Sequence, residues 1–159
     1  MIGMIPESIA AEFDVPGQLV IVLSITTGNV NDTYRVIKRT TFSEVQFVLQ
    51  RINQAVFPKP DLVMANMKAI TDYGHQSLED QAASSKRIWQ LPKVIPTLKG
   101  EDYFVDAEGE YWRALSMIAS ATSHEKLMNV EHAHEAGYVS VSYTHLRAHE
   151  TDSYLVCRL

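Results

Sequence analysis

Cysteine is almost absent from this sequence: the 159 residues hold one, Cys157. A single thiol excludes a disulfide framework and a cysteine-based metal site. Long hydrophobic runs are missing too. No stretch approaches the roughly 20 apolar residues of a membrane span, and Met1 to Pro6 lacks the basic flank and apolar core of a secretory leader. Positive charge is in deficit, with 14 Lys and Arg against 19 Asp and Glu, a formal net charge of −5. That balance does little to displace phosphate counterions, which argues against nucleic acid or an anionic membrane as the main partner. What is present is a chain 46% hydrophobic, enough for one domain with a real core. The expectation is a globular domain of cytoplasmic type.

Residues 140–159 form a separate case. From Ser140 onward the chain has no apolar period and no capping logic. Val141 to Thr151 back-translates in a single frame into a string resembling a transposon-type sequencing adapter, and Leu155 to Leu159 fits its continuation. The expected organisation is therefore a domain over residues 1–139 and a non-native tail over 140–159, with no fixed packing in the tail. Setting the tail aside removes Cys157, His145 and His149, and it implies that the native protein continued past Val139.

Within 1–139 the pattern alternates between helix and hairpin. Pro6, Glu7 and Ser8 open a short helix that places Ile5, Ile9 and Phe13 on one side, and Val15-Pro16-Gly17 stops it. Leu19 to Thr26 and Thr33 to Lys38 read as strands joined by a turn at Thr27-Gly28-Asn29. Glu44 to Ile52 reads as a third strand, with Val45, Phe47 and Leu49 on one face and Val48 and Ile52 on the other. Asp61 can cap a helix running to about His75, with Val63, Met67, Ile70 and Gly74 as its apolar stripe. Val94 to Thr97 precedes a Lys99-Gly100 turn. Tyr103 to Val105 and Tyr111 to Ile118 flank Asp106-Ala-Glu-Gly109, a hairpin signal. Asn129 caps a last amphipathic helix that the tail interrupts. The fold class is α+β, an antiparallel sheet with one helix packed across it.

The connection Gly28-Asn-Val-Asn-Asp-Thr-Tyr-Arg-Val36 joins the first two strands. Such a turn can aim backbone N–H groups at phosphate oxygens, with Asn31 and Thr33 adding side-chain donors; ordinary hairpin chemistry accounts for the same residues. Further along come Phe47-Val-Leu-Gln-Arg-Ile-Asn53 with Val56-Phe57, Leu62-Val-Met-Ala-Asn-Met67, Val94-Ile-Pro-Thr97, Tyr103-Phe-Val-Asp106 and Gly109-Glu-Tyr-Trp-Arg113. In this order they resemble the aminoglycoside phosphotransferase-like (choline kinase-like) kinases, most closely the branch that includes N-acetylhexosamine 1-kinases, over nearly all of residues 10–138.

The resemblance implies a protein-kinase-like small N-terminal lobe covering ATP, with a sugar or amino sugar as the small-molecule acceptor in the whole enzyme. Gly28, Asn29, Asn31, Asp32 and Thr33 then belong to the phosphate-covering loop. Strand three is to carry the cation for the phosphates: register points to uncharged Gln50, chemistry to Arg51 on the opposite face, and a bulge would reconcile them. Asn66 lies where the family has its own Asn, while Asp72 is the only acid between Leu62 and Tyr73 that could meet that cation. Ile118 and Ser120 follow the last strand, at the family's adenine-contacting hinge. Mg²⁺ is implied as well, but its ligands and the catalytic residues belong to a following lobe, so none is expected here and the chain alone is expected to be inert. The reading from another class is a self-sufficient, non-catalytic α+β binding module.

Other clusters read as surface or packing. His132-Ala-His134-Glu135 has Tyr138 where a zinc-binding H-E-x-x-H needs its second His, and His124-Glu125 fails the same test at Met128. Trp89 and Trp112 read as packing residues.

Overall fold

In a computed structural model of the chain, the structure describes residues 6–25, 30–81, 90–118 and 126–150, with side chains to 77 and to 141 in the two long helices. Ile5, Trp89, His124 and Glu125 lie outside the described residues, as do residues 151–159. Two compact units divide the chain, Met1–Ile118 and Ala119–Leu159. No helix among the described residues is long and apolar enough to cross a membrane.

The first unit is α+β. It begins with α1 (Pro6–Ala10), followed by β1 (Gln18–Ile25), β2 (Asp32–Arg39) and β3 (Glu44–Arg51). After α2 (Pro60–Gln81) come β4 (Val94–Ile95), β5 (Phe104–Val105) and β6 (Tyr111–Ser116). The strands form one antiparallel sheet in the order β1-β2-β3-β6-β4, with β5 also paired to β6. Each predicted strand is present to within one or two residues at most ends, because alternation of apolar residues marks a half-buried strand strongly.

One sheet face forms the core. Phe47 and Leu49 of β3, Val36 of β2 and Ala114 of β6 pack with Ile9, Ala10 and Phe13, and all are fully buried. Trp112 joins them, and its indole N–H donates to Asp106 Oδ2 at 2.8 Å, so the packing role expected of it stands with its polar end satisfied. The chain after α1 is held by a bridge from Phe13 to Thr97 and by the Asp14 amide donating to the Pro96 carbonyl at 2.9 Å. Gly17 turns the chain into β1 at φ +104°, a left-handed conformation, where an added Cβ would stand 2.7 Å from the Arg39 carbonyl oxygen. Only glycine fits there.

Two helix details differ from expectation. Pro60 occupies the first position of α2, since the Val63 amide bonds back to the Lys59 carbonyl. Proline is pre-organised for that position, so Asp61 sits inside the first turn, where its charge suits the positive helix end, rather than at the cap. The inward stripe also includes Met64 and Thr71, both buried. Thr71 is tolerated because its hydroxyl donates to the Met67 carbonyl at 2.9 Å.

The second unit contains α3 (Val130–Glu150). Asn129 caps it, its Oδ1 accepting from the His132 amide at 2.7 Å. The helix passes Ser140 without interruption, for no Gly or Pro occurs between there and Glu150 to break it. An amphipathic stripe is not visible in the burial: residues 134–141 are exposed throughout.

Candidate functional site

Strand register settles where the candidate residues point. β3 pairs without a break with β2 from Glu44 to Arg51 and with β6 from Phe47 to Arg51, so the bulge that would place Gln50 and Arg51 on one face does not occur. The sheet's irregularity lies instead in β1, between Leu19 and Ile21. Gln50 therefore faces away from the core, opposite Thr33 on β2 and Arg113 on β6. Arg51 lies on the core side, opposite Asp32 and Trp112.

Arg51 is committed there. Its Nε donates to Asp32 Oδ2 at 2.8 Å and its Nη2 makes a second, shorter bond to the same oxygen. The Asp32 hydrogen bond is the main reason that the guanidinium is held above its ordinary pKa. Beside this pair lies an open cavity of about 350 Å³ lined by Val30, Asp32, Arg51, Asn53, Gln54 and Glu110, among others. Two carboxylates on its wall and an arginine already paired make it a poor place for a polyanion.

On the other face, three side chains form a hydrogen-bonded row. Arg113 Nε donates to Gln50 Oε1 at 2.9 Å, Gln50 Nε2 donates to Thr33 Oγ1 at 3.1 Å, and Thr33 Oγ1 donates to the Asn31 carbonyl at 3.2 Å. The row begins under α2, where Arg113 Nη1 meets Met67 Sδ at 3.4 Å and Met64 Sδ at 4.0 Å. Arg113 is only 8% exposed, and burial pushes its pKa down with no carboxylate opposing the shift. Next along the same face are Leu23, Arg35 and Val48, paired in register, with Leu115 beside Val48. The Arg35 guanidinium turns toward Gln46 Oε1, at 2.7 and 3.1 Å, away from the Gln50 row.

The segments singled out in the sequence are joined at the strand ends. Asn31 Oδ1 accepts from the Asn53 amide at 3.0 Å, and Asn53 Nδ2 donates to the Val30 carbonyl at 3.1 Å. Gly28, Asn29 and Ser120 lie outside the described residues. Ile118 is half-buried and closes the first unit. Asn66 is half-buried on α2 and engaged in contacts of its own. Asp72 does not meet a strand cation: it pairs with Lys68 at 2.9 Å on the exposed side of α2.

Neither family models nor curated proteins match this chain.

Arg113 is the functional candidate that the sequence reading passed over. Alone in a strand it reads as a solvated charge, and its partnership with Gln50 depends on the long-range pairing of β6 with β3. The available signal was alternation, since Tyr111, Arg113 and Leu115 share a face. Among the described residues no three His, Cys, Asp or Glu side chains are grouped as if to hold a metal ion. A hydroxyl, an amide and a guanidinium in one row do suit phosphate oxygens.

Proposed function

We propose that this chain is the nucleotide-covering lobe of an ATP-dependent phosphotransferase that acts on a small-molecule acceptor, a sugar or amino sugar, in the cytoplasm. The observation that carries the reading is the layout of the α2-side sheet face. Leu23 and Val48 offer apolar surface to a base, with Leu115 buried beside Val48, and the row of Thr33, Gln50 and Arg113 follows at the end nearest the β1–β2 connection. A nucleotide has the same order, an apolar ring followed by oxyanions. The motif resemblance supports the same reading, and it alone supplies the acceptor class.

ATP would bring the transferable phosphoryl group. The residues of this lobe bind and orient: the apolar patch excludes water from the base, and the polar row holds the phosphates in line with it. Turnover also requires a carboxylate to orient the acceptor hydroxyl and ligands for Mg²⁺, which the reading assigns to a following lobe. One wall of a cleft pays most of the ordering cost with few of the contacts, so affinity is weak, with Kd of about 1 mM.

Saturation-transfer NMR suits that range. Irradiating the protein is expected to transfer saturation to the adenine protons of millimolar ATP. No transfer at that concentration would remove the nucleotide reading and favour a non-catalytic binding module.

A further inference from the structure

The cation expected on strand three is replaced on this face by a neutral amide, and the charge lies on the neighbouring strand. We propose that Arg113 of β6 supplies the positive charge that holds the nucleotide phosphates, with Gln50 as the residue that positions it; this rests on the nucleotide-binding reading above.

A guanidinium 8% exposed is costly to bury without a counter-charge. Its partners are the Gln50 amide and two thioethers, and no carboxylate pairs with it among the described residues. Nη2 makes no hydrogen bond to another described residue and is not a buried unsatisfied donor. A phosphate oxygen supplies the missing charge and an acceptor for it, and guanidinium groups bind phosphate through paired N–H donors.

The surroundings fit that role better than a purely structural one. Gln50 uses both ends of its amide, accepting from Arg113 and donating to Thr33, which ties the guanidinium into the row that ends at Thr33. A lysine at position 50 would repel Arg113 and could accept nothing from it. Met64 and Met67 pack against the charge without neutralising it, as a helix carboxylate would, so its field remains for a ligand. The other arginines nearby are engaged elsewhere, Arg51 with Asp32 on the opposite face and Arg35 with Gln46.

The test compares the whole chain with Arg113→Met, Arg113→Lys and Arg51→Met, using ATP, adenosine and inorganic tripolyphosphate in thermal-shift titrations. In the wild type, ATP is expected to stabilise more than adenosine, and tripolyphosphate to stabilise on its own. Arg113→Met should bind ATP about tenfold more weakly and lose the advantage of ATP over adenosine. Arg113→Lys should keep part of that advantage and Arg51→Met all of it. If Arg113→Met retains the full advantage, or if the wild type responds equally to ATP and adenosine, the assignment of Arg113 is overturned while base binding stands. If the wild type responds to neither, the nucleotide reading itself falls. A measurement on the wild type covers the case in which the variants do not fold. The Arg113 Nε–H NMR signal should move on adding tripolyphosphate, and an unmoved signal beside a bound ligand contradicts the assignment.

Discussion

Asn31 and Asn53 hold the ends of two strands together. The Asn53 amide donates to Asn31 Oδ1 at 3.0 Å, while the Asn53 side chain donates to the carbonyl of Val30 at 3.1 Å. Asn31, expected from the sequence to add a side-chain donor for phosphate, thus uses its side-chain oxygen to fix where the β1–β2 connection enters β2. Asn31→Ala removes one side-chain bond and should cost about 1 kcal/mol of unfolding free energy. Asn53→Ala removes two, to the Val30 carbonyl and from the Ala55 amide, and should cost about 2 kcal/mol. Because both act on the same junction, the double variant should lose less than the sum. Urea unfolding of the four species checks this, and strict additivity would show that the two residues act independently.

Gly17 carries a second prediction. Its φ of +104° and the 2.7 Å approach of a built Cβ to the Arg39 carbonyl leave a side chain nowhere to go, because the obstacle is backbone. Gly17→Ala should destabilise the chain by about 1–3 kcal/mol, lowering its thermal midpoint. Gly100→Ala is the useful comparison. It has φ +82° but open space around the added carbon, so it should cost less.

Lys38 gives a pH-dependent prediction. It is buried beneath the chain that follows α1, with Nζ donating to the Val15 carbonyl at 3.0 Å and lying 5.9 Å from the centre of the Phe47 ring. Burial lowers its pKa below the ordinary 10.5, and Asp14 opposes this only in part. As pH rises through the lowered folded value, the native state gives up its proton while the unfolded chain keeps it. The unfolded state then binds more protons, so stability rises with pH. The wild type should therefore gain on Lys38→Met between neutral pH and 10.5. Referring to that variant cancels other groups such as Tyr103, whose raised pKa acts in the opposite direction. A flat difference across this range would show that Lys38 is not desolvated.

The tail is tested by removal. Ser140 and Val141 are exposed, Val141 to 56%, so neither buries much that truncation would remove. Ending the chain at Val139 should shift the thermal midpoint by no more than about 2 °C. A larger fall would give residues 140–159 a native packing role.

Much of this fold was legible because its strands alternate. Val45, Phe47 and Leu49 announce a buried face, and the Asp106 to Gly109 turn announces the hairpin of β5 and β6, with Gly109 at φ +80° as the turn requires. The site was legible only in part. The register places position 50 on the α2-side face, but its neutrality has meaning only once Arg113 is seen across from it. No local pattern reveals that pairing, because 63 residues separate the two in the chain. Met64 was missed for a similar reason. A helical stripe drawn through Val63 and Met67 is a few tens of degrees narrower than the surface that a sheet covers.

The most direct measurement is an amide-resolved NMR titration of the chain with ATP, which tolerates weak binding and reports position. The account predicts shifts grouped at Leu23, Thr33, Val48, Gln50 and Arg113, on the α2-side face, with Phe47, Leu49 and Trp112 on the core face little moved. Shifts confined to the cavity beside Asp32, Arg51 and Glu110, or no shifts at millimolar ATP, would contradict it.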